Sequence, residues 1–135
     1  MLLGDFDAML YVRDVRRSVD FYVNGLGFTF GGWWDDSVHD YNLDLQAEGD
    51  FRYARLSAGP QPLALHATDA ESAPGGGAYF HLRVEAVDAY HRAVTGHGVE
   101  AVLPSQLPWG WRMFTVTDPD GHHWGFYTPV AGAES

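Results

Sequence analysis

The chain repeats itself. YVRDVRRSVDFYVNGLGF (11–28) corresponds to LRVEAVDAYHRAVTGHGV (82–99): Val12 matches Val84, Val15 matches Val87, and Gly27 matches Gly98 after a one-residue deletion. A repeat of roughly 70 residues restricts the chain to a fold made from one supersecondary unit used twice. In the first copy AMLYV (8–12) reads as a strand. Val15, Val19, Tyr22 and Val23 then recur at helical spacing, and Gly25 and Gly27 stop a helix of about 15–25. FTFGGWW (28–34), FRYARLS (51–57) and PLALHA (62–67) follow as strands, with an acidic connection over 35–50. In the second copy AYFHLRV (78–84) is a strand and AVDAYHRAVTGHG (86–98) a helix. VEAVLP (99–104), WRMFTVT (111–117) and HHWGFYT (122–128) complete it, the last two strands joined by the DPDG turn. Each copy is β-α-β-β-β. Module one spans 1–70 and module two 78–130, and the glycine-rich 71–77 is the linker, because consecutive glycines support no regular structure cheaply.

Composition narrows the function. Apolar residues make up 46% and aromatics 15% of the 135 residues, enough for one domain with a packed core. With no cysteine there is no disulfide, thiolate metal site or cysteine nucleophile. Formal net charge is −10 and every cation is an arginine, so nucleic acid and anionic lipid are excluded as partners and a cationic ligand is favoured. The start, MLLGDFDAML, has no basic segment followed by a long apolar run, and the expectation is a cytoplasmic protein that neither crosses nor binds a membrane. The serines occur in no nucleophile elbow, and the linker glycines form no phosphate loop, lacking the flanking strand, helix and lysine. Asp118 and Asp120 of DPDG read as turn formers rather than an acid–base pair.

VRDVRRSVDFYVNGLGF (12–28), DPDGHHWGF (118–126) and the doubled β-α-β-β-β order together resemble the vicinal oxygen chelate superfamily. That group includes glyoxalase I, extradiol dioxygenases, fosfomycin-resistance enzymes and bleomycin-resistance proteins. The resemblance implies an α+β fold in which two tandem βαβββ modules form a curved sheet cup with helices outside, in a homodimer. Strand alternation then assigns faces. Leu10 and Val12, Phe80 and Leu82, and Trp124 and Phe126 belong to the helix side. Met9 and Tyr11, Tyr79 and His81, and His123, Gly125 and Tyr127 belong to the cup.

The family's metal enzymes draw ligands from four cup positions, which the resemblance places at Asp7, Ala64, Tyr79 and Gly125. Only Asp7 has suitable chemistry for a divalent ion. His66, His81 and His123 each lie two residues from such a position. Taking the aligned positions as opposed, His81 and His123 stand four residues apart in register, roughly 13 Å, too far to share one ion. The expectation is therefore no catalytic residue, no metal and no cofactor.

The remaining chemistry is stacking and charge. The candidate ligand contacts are Trp33, Trp34, Tyr41, Tyr53, His66, His81, Trp109, Trp111, Met113, His123 and Tyr127. Tryptophans also fill cores, and acidic loops also merely solvate, so residue types alone leave both roles open. The resemblance is nearest to the metal-free bleomycin-resistance type. It implies a homodimer that sequesters a planar aromatic or glycopeptide-type antibiotic between its subunits, conferring antibiotic resistance by drug binding without turnover. The alternative is a glyoxalase- or dioxygenase-like metalloenzyme with an atypical site around Asp7, His66, His81 or His123. A metal-independent catalyst or accessory protein of a biosynthetic pathway is a third reading.

Overall fold

A computed structural model describes residues 1–130. The chain divides into two compact units, one covering Met1–Pro74 and the other beginning at Gly75, so the break falls within the glycine-rich segment.

The first unit contains β1 (Ala8–Val12), a helix that is α-helical over Val15–Val19 (α1) and continues as a wider π-helical turn over Asp20–Gly25, then β2 (Thr29–Asp35), β3 (Asp40–Asn42), β4 (Tyr53–Ala58) and β5 (Gln61–Ala67). The Asp14 side chain starts the helix by accepting the Arg17 N–H, which satisfies a donor that lacks an intrahelical partner. Gly27, at φ +79°, lets the chain leave the helix in a left-handed turn closed to most side chains. The sheet runs β1-β5-β4-β2-β3, with β1 parallel to β5 and the other pairs antiparallel. Leu10, Val12, Leu56, Leu63 and Leu65 bury their side chains on one face, with Val15, Val19 and Tyr22 of the helix. Full burial stabilises by about 1.5–3 kcal/mol for each large apolar side chain, and this face therefore fixes the register of the strands.

The second unit contains β6 (Tyr79–Arg83), α2 (Val87–Gly96), β7 (Ser105–Gln106), β8 (Trp111–Thr117) and β9 (His123–Pro129). Its sheet order, β6-β9-β8-β7, is that of the first unit without the extra edge strand β3. Ala86 supplies no capping side chain, and the Thr128 hydroxyl takes over: it accepts from the Val87 N–H and donates to the Val84 carbonyl. Val87, Val94, Phe114, Val116, Trp124 and Phe126 form the core. Arg112 on β8 grips Asp88 on α2 through two hydrogen bonds of 2.9 Å each. The Asp88 carboxyl is held below the usual range by that guanidinium.

The fold is thus α+β with two tandem modules. Two local expectations change. The acidic connection 35–50 contributes β3, and the strand expected over 99–104 is irregular until Ser105–Gln106. In the latter stretch Val102 and Leu103 remain exposed, so no buried face holds it in a ladder. No helix among the described residues is long and apolar enough to cross a membrane.

Candidate ligand site on the helix-free sheet faces

In the first unit the face away from the helix carries a row of rings at one register level. Tyr11 on β1 stands opposite His66 on β5, His66 opposite Tyr53 on β4, and Trp34 on β2 opposite Tyr41 on β3. Neighbours meet at an angle: Tyr11–His66 at 5.6 Å and 67°, Tyr53–His66 at 5.9 Å and 80°, Tyr41–Tyr53 at 6.4 Å and 46°, Trp34–Tyr41 at 5.2 Å and 73°. These edge-to-face and tilted contacts suit the ring quadrupoles and leave no ring stacked flat on its neighbour. The Trp34 indole N–H donates to Asp36 at 2.7 Å, which fixes the ring's orientation. Arg55 places its guanidinium 3.7 Å from the centre of the Tyr41 ring and donates to the Gly31 carbonyl.

Beside this row lies a cavity of about 580 Å³ lined by Trp34, Tyr53 and His66, with Asp35, Asp36, Glu48 and Asp50 along its wall. The Asp35 carboxyl is held low by hydrogen bonds from the Ser37 hydroxyl and N–H. Burial pushes the Tyr53 phenol up, with Tyr41 and Asp7 adding to the effect, so its hydroxyl stays protonated at neutral pH. Arg52 also lines the cavity, where its guanidinium pairs with Asp69 at 3.2 Å.

Trp33 does not belong to this face. Its side chain is 2% exposed, stacked at 5.5 Å on Phe51, and its indole N–H donates to the Asp44 carbonyl. A bulge between Phe30 and Gly32 shifts the alternation of β2, so that half-buried Phe30 packs against Trp33 in the core while Trp34 turns outward. Trp33, expected among the ligand contacts, is instead a core residue. Tyr11 joins the row of rings, and Asp36 lines the cavity. Tyr11 has the right strand parity, whereas nothing in the sequence links Asp36 to the Trp34 indole.

In the second unit the helix-free face brings together His81, Trp111, Met113, His123 and Tyr127. Trp111 lies flat on Tyr127 at 3.7 Å and 11°, and Tyr79 on His123 at 4.8 Å and 20°. His81 meets the Trp111 ring edge-on at 5.5 Å, and Trp109, 59% exposed, touches Trp111 at 6.4 Å. A Cβ on Gly125 would sit 2.8 Å from both the His81 ring and the Met113 sulfur. Those two side chains occupy the space a longer residue at 125 would need.

The register also corrects the expected separation of the histidines. β6 and β9 are parallel, with Tyr79 opposite His123 and His81 opposite Gly125. His81 and His123 are thus two residues out of step, roughly 7 Å along the strands rather than 13 Å. The aligned positions correspond between proteins but are not opposed within this sheet. Closer spacing does not make a chelate, since His123 Nδ1 is 3.2 Å from the Thr117 hydroxyl with Tyr79 stacked on its ring, while His81 turns to Trp111. The described residues hold no group of three or more His, Asp or Glu side chains placed for a metal. Ala64, Tyr79 and the occluded Gly125 do not fit the family's ion. His122 is buried, and the Asp118 carboxylate accepts the Asp120 and His122 N–H groups, which makes it the organiser of the DPDG turn.

The fold and the sequence together define the class. The model of the Glyoxalase/Bleomycin resistance protein/Dioxygenase superfamily matches residues 7–126, and the chain belongs to that superfamily. Among solved structures it is similar to TioX from Micromonospora sp. ML1, at 25% identity over 94% of this chain and 100% of that one, with a TM-score of 0.70. It shares its fold with TnmS3, an antibiotic binding protein from Streptomyces sp. CB03234, at 23% identity, coverage of 96% and 100%, and a TM-score of 0.66. A glyoxalase-related enzyme from Clostridium phytofermentans shares it equally, at 19% identity, 96% and 98% coverage and a TM-score of 0.71. No curated protein matches the chain.

Proposed function

We propose that this protein binds a planar aromatic antibiotic without transforming it, and so sequesters it. The observation that carries the reading is the row of Tyr11, His66, Tyr53, Trp34 and Tyr41 across all five strands of the first sheet, beside a cavity of about 580 Å³. Each ring contact with a flat ligand is worth about 0.5–1.5 kcal/mol beyond the area it buries. The carboxylates on the cavity wall favour a ligand carrying positive charge. The poor fit of Ala64, Tyr79 and Gly125 to a divalent ion supports binding over metal-dependent turnover. As in the bleomycin-resistance type, the working unit in this reading is a homodimer with two equivalent sites.

The test is a titration of tryptophan fluorescence with bleomycin, a quinoxaline peptide and an anthraquinone-type antibiotic, alongside metal analysis of the purified protein. Quenching that saturates near one ligand per chain, with the drug recovered unchanged, is the expected result. Stoichiometric zinc, iron or manganese without quenching would replace this reading with the metalloenzyme.

A further inference from the structure

The hydrogen bonding of one side chain in the cavity specifies what the ligand must offer. His66 Nδ1 lies 2.9 Å from the carbonyl oxygen of Ala67. A carbonyl only accepts, so Nδ1 carries the hydrogen, and in the neutral ring the lone pair is left at Nε2. The imidazole stands between Tyr11 and Tyr53, meeting their rings edge-on at 5.6 and 5.9 Å between centres. Around the same cavity Asp36, Glu48 and Asp50 are acceptors, and Arg52 is turned to Asp69.

We infer that His66 determines specificity in this cavity. Through Nε2 it accepts a hydrogen bond from the ligand's edge, selecting fused aromatic rings that carry an O–H or N–H donor over the same rings ending in an ether or a carboxylate. The inference rests on the binding reading above and sharpens it: the ring row accepts any flat molecule, whereas His66 discriminates among them. A carboxylated ring is disfavoured twice, by the lone pair at Nε2 and by the carboxylates of the wall.

Three probes sharing one ring system test this: 2-naphthol, 2-methoxynaphthalene and 2-naphthoate, titrated into wild type and His66→Phe. Phenylalanine keeps an aromatic ring between Tyr11 and Tyr53 and removes the acceptor. In wild type 2-naphthol binds roughly three- to tenfold tighter than the ether, and 2-naphthoate binds weakest. In His66→Phe the naphthol and the ether bind alike, at the ether's wild-type affinity. A ¹⁵N spectrum of the wild-type imidazole supplies a readout independent of the variant's folding: the hydrogen resides on Nδ1, and the Nε2 resonance moves when 2-naphthol is added. Equal binding of naphthol and ether to wild type, or a hydrogen on Nε2, overturns the role of His66 and leaves the stacking site standing. A preference that persists in His66→Phe assigns the acceptor elsewhere and also overturns it. Failure of all three naphthalenes to bind removes the site itself, and the inference with it.

Discussion

The two sheets use their aromatic residues differently. On the helix-free face of the first, the rings touch by edges and tilts, Trp34 on Tyr41 at 73° and Tyr53 on His66 at 80°. On the second, Trp111 and Tyr127 lie flat against each other at 3.7 Å, as do Tyr79 and His123 at 4.8 Å. A planar ligand offers flat contact. The second sheet already makes that contact within itself, and a ligand entering between its pairs must first separate them. The row on the first sheet has no ring stacked flat on another, although the Arg55 guanidinium covers the Tyr41 ring at 3.7 Å, so a ligand stacking on this row separates no ring pair. Aromatic content alone therefore does not set how many ring faces a sheet leaves open.

The largest test of this contrast separates core from face within one dipeptide. Trp33→Ala empties the core position and destabilises the first unit by about 3–5 kcal/mol, read from chemical denaturation. Trp34→Ala leaves that midpoint nearly unchanged. If the two variants unfold alike, the division between core and face is wrong. Next in size is Gly125→Glu, which restores a carboxylate of the kind the metal enzymes carry. It meets the His81 ring and the Met113 sulfur, and overpacking of this kind destabilises by about 1–3 kcal/mol. Equilibrium dialysis should show no stoichiometric zinc retained by this variant.

Affinity gives the third test. Trp34→Ala weakens an anthraquinone-type ligand by roughly tenfold, the value of one well-made stack, while Trp111→Ala weakens it by less than twofold. The reverse order would move the site to the second sheet. The smallest effect belongs to Asp88. Its carboxyl is depressed by Arg112, so the pair stabilises the fold above the unfolded-state value and loses that contribution as pH falls through the folded one. Both groups are solvent-exposed, and the thermal midpoint of Asp88→Asn is therefore only slightly below wild type at neutral pH. The gap should close below about pH 4. A gap that persists in acid would mean that Asp88 acts through packing and not through charge.

Much of the architecture could be read from the residues alone. Asp14 with the spacing of Val15, Val19 and Tyr22 marks the first helix, Thr117-Asp118-Pro119-Asp120-Gly121 the last hairpin, and the matched valines and glycines the second copy. These signals are local: caps, turns and alternation depend on neighbours within a few residues. The assignment of Leu10, Val12, Trp124 and Phe126 to the buried side follows from the same alternation.

The site was less legible, because it depends on which strands meet and at what register. Trp33 and Trp34 are the same residue type in adjacent positions, and only the bulge at Gly31, set by the pairing of β2 with β4, decides which is core. Tyr41 enters the row because a short edge strand forms in an acidic segment without a strong strand pattern. The spacing of His81 and His123 depends on the offset between β6 and β9, which no feature of either strand records. The sequence by itself determined the doubled module, the buried faces and the acidic surface, since each follows from local pattern or composition. Tertiary pairing alone decided which rings share a level and which stack on each other, since those depend on contacts between residues far apart in the chain.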